Sequence, residues 1–144
     1  MSKSNISKGR NGLGLFASKL LDDYPEFNPD RKISKRDDFI LLYGSKSNIT
    51  NRVWLIRPIK ELSDREILEL EILPEKKLFP ENITIKSIIW GIVKEGELLI
   101  EFEKDEIWVK SGEEFQFSGE KSHNYRNTSK NICKVTMIIS EAVF

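Results

Sequence analysis

The chain has 144 residues, with 23 basic and 23 acidic side chains, 39% hydrophobic residues and a single cysteine. The cancelled charge gives no electrostatic reason to expect nucleic acid or an anionic membrane as a partner, and one cysteine excludes an internal disulfide or a cysteine-held metal cluster. The polar start MSKSNISKGRNG lacks an apolar signal core, and no apolar run approaches the ~20 residues of a membrane span, so a cytoplasmic location is expected.

Residues 1–36 read as an arm. They hold Gly9, Gly12 and Gly14, a Pro-Glu-Phe-Asn-Pro stretch and mixed charges. Leu13, Phe16, Leu20 and Leu21 fall near helical spacing, which predicts a two-turn helix. The glycines, with Lys8 and Arg10, precede it, and a glycine loop opening a helix can cradle phosphate. No strand comes before them and the spacing is not that of a nucleotide loop. An arm ordered by the rest of the chain is the better reading.

Residues 37–144 read as one β domain. Candidate strands are Phe39–Tyr43, Asn51–Arg57, Ile67–Leu73, Ile83–Val93, Leu98–Glu103, Ile107–Lys110, Glu114–Ser118, His123–Asn127 and Ile132–Ser140. Many short strands at close spacing argue for an all-β sandwich or barrel. Gly96 sits in a turn where a positive φ is useful. Alternation sets Cys133, Val135, Met137 and Ile139 on one side of the last strand, and Phe115 with Phe117 on one side of theirs. The stretch Ile83–Val93 is apolar on both faces: Ile83, Ile85, Ile89 and Val93 on one, Ile88, Trp90 and Ile92 on the other. A strand of that kind needs two covers, the second being the arm or another subunit.

The 57 residues from Ile83 to Ile139 resemble the cupin superfamily. Gly96 matches the closing glycine of the first cupin motif and Gly112 the opening glycine of the second. His123 falls on the second motif's histidine and Asn127 on its asparagine. The string Gly91-Ile92-Val93-Lys94-Glu95-Gly96-Glu97-Leu98 resembles the ligand-sensing cupins of some bacterial helix-turn-helix regulators, although the residues before Phe39 lack a helix-turn-helix pattern. The resemblance implies an all-β fold, a cupin-type jelly-roll β-barrel with an N-terminal arm carrying a short helix. It also implies a departure. The first motif's glutamate position is Ile89, its histidine positions are Ile85 and Ile83, and its opening glycine position is Lys77. In the second motif, Ser118 replaces the proline and Glu120 the second glycine, with Gly119 between them. Isoleucine offers no lone pair, and one histidine cannot hold a catalytic divalent ion. The expected barrel is metal-free, with no cofactor.

His123, the only histidine, is expected to face inward with Tyr125 and Asn127, as a ligand contact, a general base or a structural residue. The expected pocket walls are Ile83, Ile85, Ile89, Phe115 and Phe117, with His123 and Tyr125 as polar handles. Trp54, Trp90 and Trp108 suit ring stacking but are better read as packing. Arg57, Lys86 and Arg126 suit anion binding but are better read as solvated strand residues. Glu101, Glu103, Asp105 and Glu106 surround a hairpin turn, and Cys133 reads as a buried inert thiol. The preferred function is binding of a small molecule or partner without catalysis, as a homodimer. Two alternatives stand beside it. One is a metal-free sugar isomerase or epimerase of the kind found among cupins, with His123 as base and Tyr125 as acid; the other is a structural dimerisation module.

Overall fold

The computed structural model describes residues 15–24, 39–45, 47–56 and 65–141. Gly9, Gly12, Gly14, Lys8, Arg10, Leu13 and Arg57 lie outside them. One helix, α1 (Leu15–Asp23), precedes nine strands: β1 (Phe39–Tyr43), β2 (Arg52–Ile56), β3 (Arg65–Ile72), β4 (Ser87–Glu95), β5 (Glu97–Phe102), β6 (Glu106–Lys110), β7 (Glu114–Ser118), β8 (His123–Asn127) and β9 (Cys133–Glu141). The strands form two antiparallel sheets, ordered β1-β2-β3-β9-β4-β7 and β6-β5-β8. One hydrophobic core lies between them and takes residues from both, so this is a two-sheet jelly roll whose ladders do not join into a closed ring among the described residues. No described helix is long and apolar enough to cross a membrane.

Alternation builds the larger sheet's inner face in rows across the strands. One row runs Leu55, Leu68, Met137, Gly91, Phe115, and the next Glu66, Ile139, Ile89, Phe117. Each fully buried large apolar side chain contributes ~1.5–3 kcal/mol. Gly91 faces the core because Phe115 lies over it; a Cβ there would meet that ring at 2.3 Å. The tight turns fall at Gly96 (φ 85°) and Gly112 (φ 89°), in the left-handed region where only glycine is free of strain.

The stretch Ile83–Val93 is not one strand. Ile83 exchanges backbone bonds with His123 of β8, at 2.8 and 2.9 Å, while Ile85 N–H donates to Gly119 O and Gly119 N–H to Ser87 O. The chain leaves the smaller sheet at Ile83 and joins the larger one at Ser87. Inward–outward alternation survives the break, which is why the sequence reads as continuous. On the outer face of the larger sheet, Ile88 is 36% exposed, and Trp90 and Ile92 are half-buried.

Helix α1 places Phe16, Ala17, Leu20 and Leu21 on one side, and all four are buried in the common core. Lys19 pairs with Asp23 at 3.1 Å, and Tyr24 N–H closes the last turn on Leu20 O. The free N–H groups of its first turn are met from another element. The Glu66 carboxylate, buried on β3, accepts from Phe16 N at 3.0 Å and from Ala17 N at 3.2 Å. A carboxylate there also suits the positive end of the helix dipole. Glu66→Ala strips these N–H groups of their acceptor and is expected to cost ~1–3 kcal/mol in urea unfolding, with faster hydrogen exchange at Phe16 and Ala17. An unchanged midpoint would show that the helix is not held by this contact.

Candidate functional site

The break between Ile83 and Ser87 brings residues of both sheets to one place. Gly119 is buried against it, and a Cβ at 119 would lie 2.6 Å from Ile85 O and 3.1 Å from Ile89 Cδ1, so a side chain there would push the two elements apart. His123 and Tyr125 come from β8 and Phe117 from β7. The His123 ring meets Phe117 at 4.8 Å and Tyr125 at 5.3 Å between centroids, both edge-on, and Phe115 stacks on Phe117 at 6.1 Å. The seven side chains expected from the sequence to line a pocket, Ile83, Ile85, Ile89, Phe115, Phe117, His123 and Tyr125, are all buried.

The imidazole has one defined tautomer. Nδ1 lies 2.6 Å from the Lys121 carbonyl oxygen, which can only accept, so Nδ1 carries the hydrogen and Nε2 is a bare acceptor. Nε2 is buried without a hydrogen-bond partner, and so is the Tyr125 hydroxyl. Buried polar atoms are normally satisfied, so two orphans in one apolar cluster mark this place. Burial pulls the His123 pKa below its ordinary value, with the Lys121 bond opposing, and pushes that of Tyr125 upward. Both side chains are neutral at pH 7.

Asn127 does not join this group. Its amide donates to Ile72 O and Asn131 O, and its oxygen accepts from Ser129. It ties the turn before β9 together, as asparagine does in local turns, and the expected inward cluster therefore loses its third member. Phe102 was not singled out by the sequence reading. It contacts Phe117 at 5.3 Å and His123 at 6.3 Å, and it also lines a surface groove with Thr84, Asp105 and Lys121. The Lys121 ammonium sits 4.3 Å from its ring centre. The alternation of Leu98, Ile100 and Phe102 on β5 was the available signal. Buried Ser87, whose Oγ also lacks a partner, was legible from the same rule.

The remaining candidates are held elsewhere. Arg126 pairs with Glu101 at 3.3 Å, and Lys121 with Asp105 at 3.8 Å. The indole N–H groups of Trp54, Trp90 and Trp108 donate to Glu71, Glu114 and Glu106. Burial pushes the Cys133 thiol up to about 12, which leaves almost no thiolate to react.

The donor set does not fit a metal centre. Beside His123 Nε2, the first-motif positions are Ile83, Ile85 and Ile89, and among the described residues no three His, Cys, Asp or Glu side chains converge.

No family model matches the sequence, and no curated protein does. Solved structures do. The chain superposes on the Cupin_2 domain of an XRE-family transcriptional regulator from Enterobacter cloacae with a TM-score of 0.55 and 20% identity, covering 63% of this chain and 96% of that one. An RmlC-like cupin from Desulfovibrio desulfuricans gives 0.53 and 14%, covering 69% and 97%. The structure of FeII HppE gives 0.60 and 15%, covering 78% and 62%. The fold is that of the cupins.

A buried neutral histidine makes stability depend on pH. In the unfolded chain the ring takes a proton near its ordinary pKa of 6.5, while the folded protein resists it. The unfolded state therefore binds more protons below that pH, and stability falls as pH drops from 6.5 toward the lowered folded value. Relative to His123→Phe, the wild type should lose up to about 1.4 kcal/mol per pH unit in that window and nothing above it. Parallel stability curves for the two proteins between pH 7 and pH 5 would contradict a buried, neutral His123.

Proposed function

We propose that this cupin-fold chain is a metal-free binding protein that holds a small uncharged molecule between its sheets without transforming it, as a homodimer. One observation carries the reading: His123 Nε2 and the Tyr125 hydroxyl are both buried and unpartnered within a wall of isoleucine and phenylalanine. Nε2 asks for a donor, and the phenol supplies one. No lysine or arginine is buried among the described residues, so an anion would enter without a counter-charge, at high cost. An aromatic or aliphatic body with a neutral donor–acceptor end, such as an amide, would match this acceptor and donor in their apolar wall.

The isomerase alternative is weaker on the same geometry. Nδ1 is bonded to a backbone carbonyl and not to a carboxylate, so an imidazolium formed by proton abstraction gains no charged partner. Burial also holds the Tyr125 proton tightly, which makes it a poor acid.

Two experiments test the proposal. Because the chain has one histidine, its imidazole gives a single set of NMR signals. Benzamide should shift those signals and raise the melting temperature, whereas benzoate should do neither. Tyr125→Phe should abolish the benzamide response yet raise stability by about 1 kcal/mol, since it removes an unsatisfied buried hydroxyl. Equal responses to benzamide and benzoate, or a destabilised Tyr125→Phe, would refute the reading. Elemental analysis of the purified protein should find less than stoichiometric iron, manganese, nickel or zinc. One ion per chain that disappears with His123→Ala would overturn the metal-free assignment.

A further inference from the structure

His123 and Tyr125 are fully buried, so anything that reaches them must first open a path. Helix α1 touches the surroundings of these two rings at both of its ends. Its first turn lies on Glu66, which shares an inward row with Ile139, Ile89 and Phe117, and Phe117 is the ring set edge-on against His123. At the other end Tyr24 stacks on Phe79 at 5.7 Å and meets Tyr43 edge-on at 5.2 Å. The Phe79 backbone is bonded through both its N–H and its C=O to the side chain of Asn124, which stands between His123 and Tyr125 on β8. Along its flank, Lys19 and Tyr24 line a surface groove with Ile83 and Thr84, and Ile83 exchanges backbone bonds with His123.

The attachments differ in kind. The strands that carry the site are held by ladders of backbone bonds, β8 along β5 and β7 along β4. Side chains hold α1: the Glu66 carboxylate at one end, the Tyr24 ring at the other, and Phe16, Ala17, Leu20 and Leu21 between them. Native proteins open first where the fewest cooperative bonds must break, and a nine-residue helix that leaves the sheets breaks no ladder. Its departure is also electrostatically simple. Water replaces the N–H groups of Phe16 and Ala17 at the Glu66 carboxylate, so the opened form holds no buried, unpaired charge.

We propose that α1 is the gate of the site. It lifts away while both sheets stay intact, which gives access to His123 Nε2 and the Tyr125 hydroxyl, and Glu66 is the latch that sets how often it lifts. The inference rests on the binding role proposed for His123 and Tyr125, but the opening itself is measured without any ligand.

The single histidine and single cysteine of the full chain are two reporters. Diethyl pyrocarbonate reacts through the Nε2 lone pair of a neutral imidazole, N-ethylmaleimide reacts with the thiol, and mass spectrometry reads each product. Cys133 is also fully buried, but it pairs with Ile72, six residues along β3 from Glu66 and so about 20 Å away. Its rate should follow unfolding of the whole domain. Glu66→Ala and Tyr24→Ala, one at each end of α1, should each speed modification of His123 by about tenfold or more. Val135→Ala trims the core of β9 and leaves the contacts of α1 in place. It should speed Cys133 and leave His123 at the wild-type rate. If Val135→Ala speeds His123 as much as Cys133, the ring is reached only by unfolding of the whole domain and the gate is overturned. Unchanged His123 rates in Glu66→Ala and Tyr24→Ala overturn it as well. Benzamide should slow the reaction at His123. If it does not, while the three variants behave as stated, the ligand reading fails and the gate stands.

Discussion

The passage from Ile83 to Ser87 is the constraint on which the site depends. A jelly roll needs segments that leave one sheet and enter the other without exposing backbone groups to the core. Here Ile83 bonds to His123 in the smaller sheet, and two residues later Ile85 and Ser87 bond to Gly119 beside the larger one. The crossing is possible because position 119 has no side chain; a Cβ would collide with the Ile85 backbone. The sheets are thereby drawn together at the place where His123 and Tyr125 of one meet Ile89 and Phe117 of the other. The rest fills in around this point: Phe115 covers Gly91, and α1 is held by Glu66 and buries Phe16 and Leu20 in the same core.

Electrostatics inside this core favours hydrogen bonding over acid–base work. Burial acts on both titratable rings in the direction of neutrality, downward for the imidazole and upward for the phenol. The Lys121 carbonyl then selects one imidazole tautomer and leaves a single acceptor facing inward. Glu66, the one buried carboxylate among the described residues, has its charge directed at the N–H groups of α1. What remains is an acceptor and a donor, both neutral, in an apolar wall, which suits the proposed recognition better than a proton relay.

Isoleucine at positions 83, 85 and 89, where the resemblance to metal-holding cupins would place ligands, leaves the architecture intact for a simple reason. A strand's face is set by alternation, and apolar side chains at those positions satisfy the inward face at least as well as histidine or glutamate. The fold is therefore indifferent to the exchange, while the chemistry is not. This separation of scaffold from site is general, and here it lies in three side chains of a single segment.

The amino-acid sequence by itself determined the existence of all nine strands, the turns at Gly96 and Gly112, and the inward set Ile85, Ile89, Phe115, Phe117, His123 and Tyr125. Each of these is a local property: period-two alternation and glycine placement act over a few residues, and the side of a strand follows from them. Tertiary structure alone decided what those faces meet. It broke Ile83–Val93 at Ser87 while keeping its alternation, gave Asn127 to a turn, and aimed Glu66 at a helix that lies about fifty residues earlier in the chain. Those outcomes depend on hydrogen-bond partners distant in sequence, and a backbone N–H carries no mark of the carbonyl it will find. Alternation tells which side of a strand is buried; only the assembled sheets tell against what.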